Sequence, residues 1–440
     1  MTGPAATDDG AGSAGAVSLR SSTIGVIGIR LVGAGLHLAF ALPLVAVLGP
    51  DDAGRTLAAV SSIELASLVG RLGLPIELAR RRRLGGRRTA LPVPSVAVAA
   101  AASGLVAAML AWLTGLPPVH LVVGAGAVTV AQVLAGWQRG AERFLVASLA
   151  HPVPALSAAT IALLVGGLAP LTAFVAGASI AAITQLALAR SDLRLAASTR
   201  SAVAHLAGTA QLGAAGLANQ AVLLSIPVLL VAQGHPEGAT VFSLAVGAFR
   251  PLLILQAGLN FTVGPRLAAA TGEPLTPRQR VVLDQAAGLQ HLAFLPYAVL
   301  TGVAVAAAAR GLLIGHPLPT LPGSWLILLI GHAVAVGTGP TGQVLLMRGN
   351  ERATVGAALA GLAAAATWFV LPLPAWARAA GALSAALATQ NALTAVGAWA
   401  NDRWIADPLT IWPTAWRALV DASSGLWTGA SRAGAVRTGR

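Results

Sequence analysis

Cysteine is absent from this 440-residue chain, lysine is absent too, and aromatic residues make up only 4% of it, with a single tyrosine. Without cysteine there is no disulfide framework, no thiolate chemistry and no cysteine-ligated metal site. Charged residues are also scarce, at 10%, against 56% hydrophobic residues. No HExxH, no glycine-rich phosphate loop ending in Lys-Ser/Thr and no paired-carboxylate constellation on an outer loop occurs, and no loop is long enough for an extramembrane catalytic domain. The reading is therefore of a non-enzyme that needs no cofactor and no metal.

What remains is apolar and long. Twelve hydrophobic runs lie at about 22–47, 55–78, 91–115, 118–137, 146–168, 170–189, 207–232, 237–264, 288–309, 321–346, 353–372 and 376–400. A bilayer-spanning helix needs roughly 20 residues at 1.5 Å each, so the chain reads as an all-α polytopic membrane protein of about 12 transmembrane helices. All 28 basic residues are arginine and the formal charge is +13, but the arginines sit mostly in short loops, which argues against a nucleic-acid partner.

Those loops set an orientation. Arg80, Arg81, Arg82, Arg83, Arg87 and Arg88 follow the second run, and alternate loops after it carry Arg139 and Arg143; Arg190, Arg194 and Arg200; Arg266, Arg278 and Arg280; Arg348 and Arg352. The opposite side holds Arg55, Arg310 and Arg378, so the asymmetry is sixteen against three. By the positive-inside rule the rich side is cytoplasmic, and an even helix count puts both termini there. Residues 1–21 lack the basic start and apolar stretch of a secretory signal and read as a disordered cytosolic tail. The polar stretch 191–206 reads as a cytoplasmic linker between an N-lobe (22–190, helices one to six) and a C-lobe (207–400, helices seven to twelve). Equal lobes starting on the same side imply a parallel pseudo-repeat. In the tail 401–440, Trp412, Trp416 and Leu419 fall on one helical face, as expected of an interfacial helix.

Ionisable residues deep in the runs are few: Arg30 and His37 in helix one, Glu64 and Arg71 in helix two, Arg250 in helix eight and His332 in helix ten. Each costs about 2.5–3.5 kcal/mol at the bilayer centre and must face protein or water. Arg30 and His37 are seven apart, as are Glu64 and Arg71, so each pair shares a helical face. In antiparallel helices the spacing sets His37 level with Glu64, and Arg30 level with Arg71 nearer the cytoplasm. Two readings stay open. The arginines line a cationic cavity for a phosphate-bearing cargo, with His37 and Glu64 carrying a coupling proton; or Glu64 simply neutralises an arginine, and Arg30 and Arg71 snorkel to the interface. Arg250 lies near the midplane and reads as cavity-lining, whereas His332 reads as a packing histidine. Gln211, Asn219, Gln220, Gln256, Asn260, Gln343, Gln390 and Asn391 suit sugar hydroxyls or interhelical hydrogen bonds. Pro227 and Pro251 fall inside helices and would kink them.

Several short motifs stand in order along the chain: Leu48-Gly49-Pro50-Asp51-Asp52-Ala53-Gly54, Gly70-Arg71-Leu72-Gly73-Leu74-Pro75, Gly238-Ala239-Thr240-Val241-Phe242-Ser243-Leu244-Ala245, Gly339-Pro340-Thr341-Gly342 and Ala380-Gly381-Ala382-Leu383. Together they resemble the Wzx-type polysaccharide flippases of the MATE-like multidrug/oligosaccharidyl-lipid/polysaccharide superfamily. The resemblance implies two six-helix lobes around a cavity, and transfer of a polyprenyl-diphosphate-linked oligosaccharide from inner to outer leaflet. It also implies membrane lipids and the glycosyltransferases and polymerase of a polysaccharide pathway as partners. Arg30, Arg71 and Arg250 would then meet the diphosphate. The alternatives are a drug or metabolite exporter of the same fold and a membrane polysaccharide polymerase or glycosyltransferase. The absence of an acid in helix one and the short, charge-poor outer loops weigh against these two in turn.

Overall fold

The computed structural model describes residues 11–85, 91–141, 143, 146–147, 153–166, 168–194, 220–267, 275–347, 350–404, 406–407, 413 and 416. Side chains are described for the same residues except 11–31, 34, 80, 83–85, 193–194, 253–267, 343, 346–347 and 351.

The architecture is all-α. Helix α1 (Ala11–Arg71) is followed by α2 (Leu74–Gly85), α3 (Val93–Thr114), α4 (Pro118–Gly140), α5 (Val153–Val165) and α6 (Pro170–Ala189). Then come α7 (Gln220–Ala232), α8 (Pro236–Leu267), α9 (Pro277–Ala309), α10 (Leu321–Gly337), α11 (Thr341–Met347), α12 (Glu351–Phe369) and α13 (Ala375–Asp402). Strands β1 (Leu91–Pro92) and β2 (Leu193–Arg194) pair in parallel, Leu91 with Leu193 and Pro92 with Arg194.

Five described segments are long and apolar enough to cross a membrane: Gly35–Arg71, Val93–Thr114, Pro118–Gly140, Pro170–Asp192 and Pro277–Ala309. Their outer faces match a hydrocarbon solvent. On α9, Leu295, Val299, Leu300 and Val303 are 64–69% exposed. In water such a stripe forfeits about 25 cal/mol for each Å² left unburied, a penalty that lipid removes. The protein is a polytopic membrane protein.

The backbone divides into two compact units. One comprises Met1–Pro43 with Ala59–Gly213, the other Leu44–Ala58 with Ala214–Arg440. In the first unit α4 is the central element, packed by α2, α3 and α6, and α5 packs on α6. Small residues let backbones approach. A Cβ on Gly136 would stand 2.3 Å from the Pro75 carbonyl oxygen, and one on Gly140 would stand 2.4 Å from that of Ala79. Gly136 and Gly140 thus form the close-approach stripe against which α2 lies. In the second unit α13 is central, flanked by α10 and α12, and α9 packs on α10. Gly331 fits against Ser384, whose hydroxyl donates to the Ile327 carbonyl at 2.5 Å.

The chain folds back within α1. Gly49 has φ 77° and ψ 169°, a region that is essentially glycine-only, and breaks the helix into two legs. His37 and Glu64 would be about 40 Å apart on one straight helix. Instead their side chains approach to 3.8 Å, so the legs run antiparallel. At the tip, Thr240 Oγ1 donates to the Pro50 carbonyl at 2.6 Å, and Gly54 sits against the Pro236 carbonyl, where any Cβ would clash.

Several helix limits differ from the sequence expectation, each for a local reason. The second leg ends at Arg71 rather than at 78, because Leu72 (φ 27°) and Gly73 (φ 74°) turn the backbone before Pro75. Helix ten ends at Gly337, where Thr338, Gly339 (φ 66°) and Pro340 stop it, and α11 restarts at Thr341. Helix nine begins at Pro277, about three turns earlier than hydropathy alone suggests. Thr276 caps the Gln279 amide while the Gln279 side chain accepts from the Thr276 amide, and that capping box carries the helix through a polar first stretch. Residues 11–21, expected as a disordered tail, form the start of α1, and no proline falls between Pro4 and Pro43 to interrupt the helix. Residues 1–10 lie outside the description.

The start of the 191–206 stretch is structured, as a 3₁₀ turn (Arg190–Asp192) leading into β2, while 195–206 lies outside the description. Beyond α13, Trp404 is buried and its indole donates to Asp284 Oδ1 at 3.1 Å, and Arg280 donates to the Asp402 carbonyl at 3.2 Å. Of the expected interfacial face, Trp416 is exposed, whereas Trp412 and Leu419 lie outside the description.

Candidate functional site

The polar residues of the first unit gather along the two legs of α1. His37 Nδ1 donates to the Gly33 carbonyl at 2.9 Å, because a carbonyl oxygen can only accept. In the neutral ring this leaves Nε2 as the acceptor, facing Glu64 Oε1 at 3.8 Å. An acceptor nitrogen and an ionised carboxylate repel, so this arrangement is favourable when the pair holds one further proton, on the ring or on the carboxyl. Both side chains are about 15% exposed, which keeps the pair in contact with its surroundings without full hydration.

Two turns further along the second leg stands Arg71, the last residue of α1. There the carbonyl end of the helix dipole favours a cation. It lies within electrostatic reach of Glu64 on its own leg and of Arg139 on α4. Arg139 was read from sequence only as a loop arginine that sets orientation. The available signal was topological: the C-terminal ends of the second and fourth runs lie on one side, so basic residues at both ends can converge. Among the described residues, the charged groups that act on Arg71 at this range are one guanidinium, Arg139, and one carboxylate, Glu64.

The other expected site residues are placed less completely. Arg30 lies in the backbone of α1, with its side chain outside the description. Arg250, partly buried, belongs to the second unit on α8. Its neighbour Phe249 is fully buried and stacks on His332 at 4.3 Å and Trp325 at 6.2 Å between ring centroids. His332 is itself 2% exposed and donates from Nδ1 to the Leu328 carbonyl at 2.8 Å, which makes it a packed element of this aromatic stack. Among the polar uncharged candidates, Asn391 bonds the Leu387 carbonyl and Gln220 is exposed. Gln211 and Asn219 lie outside the description, as do the side chains of Gln256, Asn260 and Gln343. Among the described residues no group of three or more His, Asp or Glu is positioned to hold a metal ion.

A second polar cluster of the first unit joins α2, α4 and the turn after α6. Asp192 Oδ2 accepts from Arg82 Nη2 at 3.3 Å and from the Trp137 indole at 3.0 Å, and the Arg82 guanidinium lies 4.9 Å over the Trp137 ring. Trp137 is fully buried and Arg82 is 9% exposed, so one carboxylate satisfies two buried donors.

Comparison with solved structures decides the fold. An inward-facing multidrug resistance MATE family transporter of the MOP superfamily superposes with a TM-score of 0.54 and 15% identity, over 85% of this chain and 96% of that one. The eukaryotic MATE transporter AtDTX14 gives a TM-score of 0.50 and 15% identity, over 91% of this chain and 99% of that one. The chain has a MATE transporter fold. No family model matches the sequence, and no curated protein matches it either. Within this MATE-like fold the His37–Glu64 pair and the Arg71–Arg139 pair belong to the first unit, and Arg250 with its aromatic neighbours to the second.

Proposed function

We propose that this protein is an alternating-access transporter that carries a lipid-linked oligosaccharide with a polyprenyl-diphosphate anchor from the inner to the outer leaflet. The observation that carries this reading is that Arg71, at the end of the second leg of α1, lies within electrostatic reach of a second arginine, Arg139, as well as of Glu64. Arginine presents a planar fork of donors that matches phosphate oxygens two at a time, so a cationic cluster at the end of a membrane helix favours a diphosphate over a cationic drug. The His37–Glu64 pair is suited to taking up and releasing one proton as the cargo's negative charge comes and goes at Arg71. The oligosaccharide part of the reading rests on the ordered motifs that resemble the Wzx-type flippases, and with it the partnership with glycosyltransferases and a polymerase at the plasma membrane.

A second reading, a drug or metabolite exporter, is favoured by the solved multidrug resistance transporter whose fold this chain shares. Cargo charge separates the two. In proteoliposomes, transfer of a labelled polyprenyl-diphosphate oligosaccharide is expected for the wild type. It should fall by an order of magnitude or more in Arg71→Ala and Arg139→Ala, as follows when a charge-assisted pair worth roughly 1.5–3 kcal/mol is removed. Export of a cationic dye with no transfer of the diphosphate would overturn the flippase reading in favour of the exporter.

A further inference from the structure

The chain leaves α13 in a conformation that a side chain resists. Arg403, which ends the helix, has φ 50° and ψ 32°, and it is one of two described non-glycine residues at positive φ. Such a residue persists there only where its surroundings over-determine it. Here the contacts come from two helices. The Arg403 amide donates to the Trp399 carbonyl at 2.9 Å, and its guanidinium lies 4.6 Å over the exposed Trp399 ring. Two residues one turn apart on α9 hold the same stretch of chain. Arg280 donates to the Asp402 carbonyl at 3.2 Å, and Asp284 Oδ1 accepts from the Trp404 indole at 3.1 Å.

Trp404 itself is 4% exposed and lies in a cluster with Leu283, Ala287, Val344, Ala398 and Ala406. Small side chains make this a socket for the indole, and Gly339 (φ 66°) completes it. A Cβ on Gly339 would stand 3.2 Å from that of Ala287, 3.3 Å from the Trp404 ring and 3.4 Å from that of Ala406. Gly339 is the centre of the Thr338-Gly339-Pro340 break between α10 and α11, so the ring rests on the break itself. On the α10 side of the break α13 is fastened separately, through Gly331 against Ser384 and the Ser384 bond to Ile327. On the α11 side the Thr341 and Thr394 hydroxyls meet at 3.0 Å.

We propose that the chain leaving α13 is a releasable strap, that Trp404 is its catch, and that the seated catch fixes the angle between α10 and α11. Pro340 donates no helical hydrogen bond across the break, so the angle there depends on what packs against it. Seated, the indole joins α9, the break and α13 in one packed body. Released, Arg403 leaves the left-handed region and the ring no longer wedges against Gly339, so α11 can swing relative to α10. Strain at Arg403 favours release, while burial of the ring and its bond to Asp284 favour closure. That opposition makes the strap a two-state element rather than a fixed turn. The inference stands independently of what the protein transports.

The absence of cysteine gives a direct test. The full chain carrying Val344→Cys is purified in detergent. Position 344 is fully buried in the socket cluster, and cysteine is smaller than valine, so the socket is not overfilled. Reaction with a water-soluble maleimide reads opening of the strap, and amide hydrogen exchange is followed over α11 and over residues 321–331 of α10. Asp284→Ala takes away the charged acceptor of the indole. It is expected to speed labelling and α11 exchange together, by about tenfold or more, and to leave 321–331 unchanged. Trp404→Phe keeps an apolar ring without the N–H. It should act in the same way, and adding it to Asp284→Ala should bring little further change. It alters no charge, so it decides the matter if the Asp284 variant does not fold. Labelling that keeps its original rate in the variants, or faster labelling without faster exchange in α11, overturns the proposal. So does equal acceleration over 321–331, which marks general loosening of the second unit.

Discussion

Replacing Asp192 with alanine removes the one acceptor shared by Arg82 and Trp137 at 3.3 and 3.0 Å. Because Trp137 is fully buried, its indole N–H then lacks a partner that neither lipid nor water replaces, which costs about 1–3 kcal/mol. Removing one member of a buried ion pair costs about 3–5 kcal/mol. The side chains of Arg82 and Asp192 are 10% and 19% exposed, so partial hydration brings this term to the lower end. The two effects share one carboxylate and are not additive, which gives a combined loss of about 3 kcal/mol. Asp192→Asn keeps an oxygen for the indole but not the charge, and is expected to lose about half as much. In a unit of roughly 200 residues, 1 kcal/mol corresponds to about 2–4 °C, so Asp192→Ala should lower the melting temperature in detergent by about 6–12 °C. Adding Arg82→Met to Asp192→Ala should recover at least 1 kcal/mol, because a buried pair replaced by apolar side chains is far less costly than a broken one. Tryptophan fluorescence through a thermal ramp reads all four proteins. A change below about 0.5 kcal/mol for Asp192→Ala, or no recovery on adding Arg82→Met, would refute the idea that this carboxylate holds α2 to α4.

Three further outcomes follow from the geometry. Thr240→Val should cost about 1 kcal/mol through loss of its bond to Pro50, while Gly54→Val should be far more damaging because its Cβ meets the Pro236 carbonyl, and the pair can be ranked by melting temperature. Thr276→Ala should cost about 1 kcal/mol and speed amide exchange over the first turn of α9 without affecting α10. Glu64→Gln leaves His37 without its carboxylate neighbour, so transport should lose any pH dependence set by the pair while cargo binding at Arg71 persists. An unchanged pH profile would remove the pair from proton handling.

The sequence by itself determined the class. Apolar runs of bilayer length exclude a water-soluble globule whatever the tertiary arrangement, because burial in lipid depends on composition and length alone. The fold-back of α1 was legible through its own glycine, and so was the facing of His37 and Glu64, because seven-residue spacing on two antiparallel legs fixes relative depth. The early start of α9 was also written, in Thr276-Pro277-Arg278-Gln279, but a hydropathy reading passes over a polar capping box. Hydropathy could not say where the second leg stops, since Arg71 and the apolar residues after it look continuous until the backbone turns at Leu72 and Gly73. Only the tertiary structure brought Arg139 to Arg71, withdrew Arg82 from the arginine run into the cluster with Trp137 and Asp192, and set the Leu48–Gly54 motif against the start of α8. Those partners lie about 50 to 190 residues apart in the chain. Their meeting depends on which small residues allow which helices to touch, a property of pairs of surfaces that no single run of sequence carries.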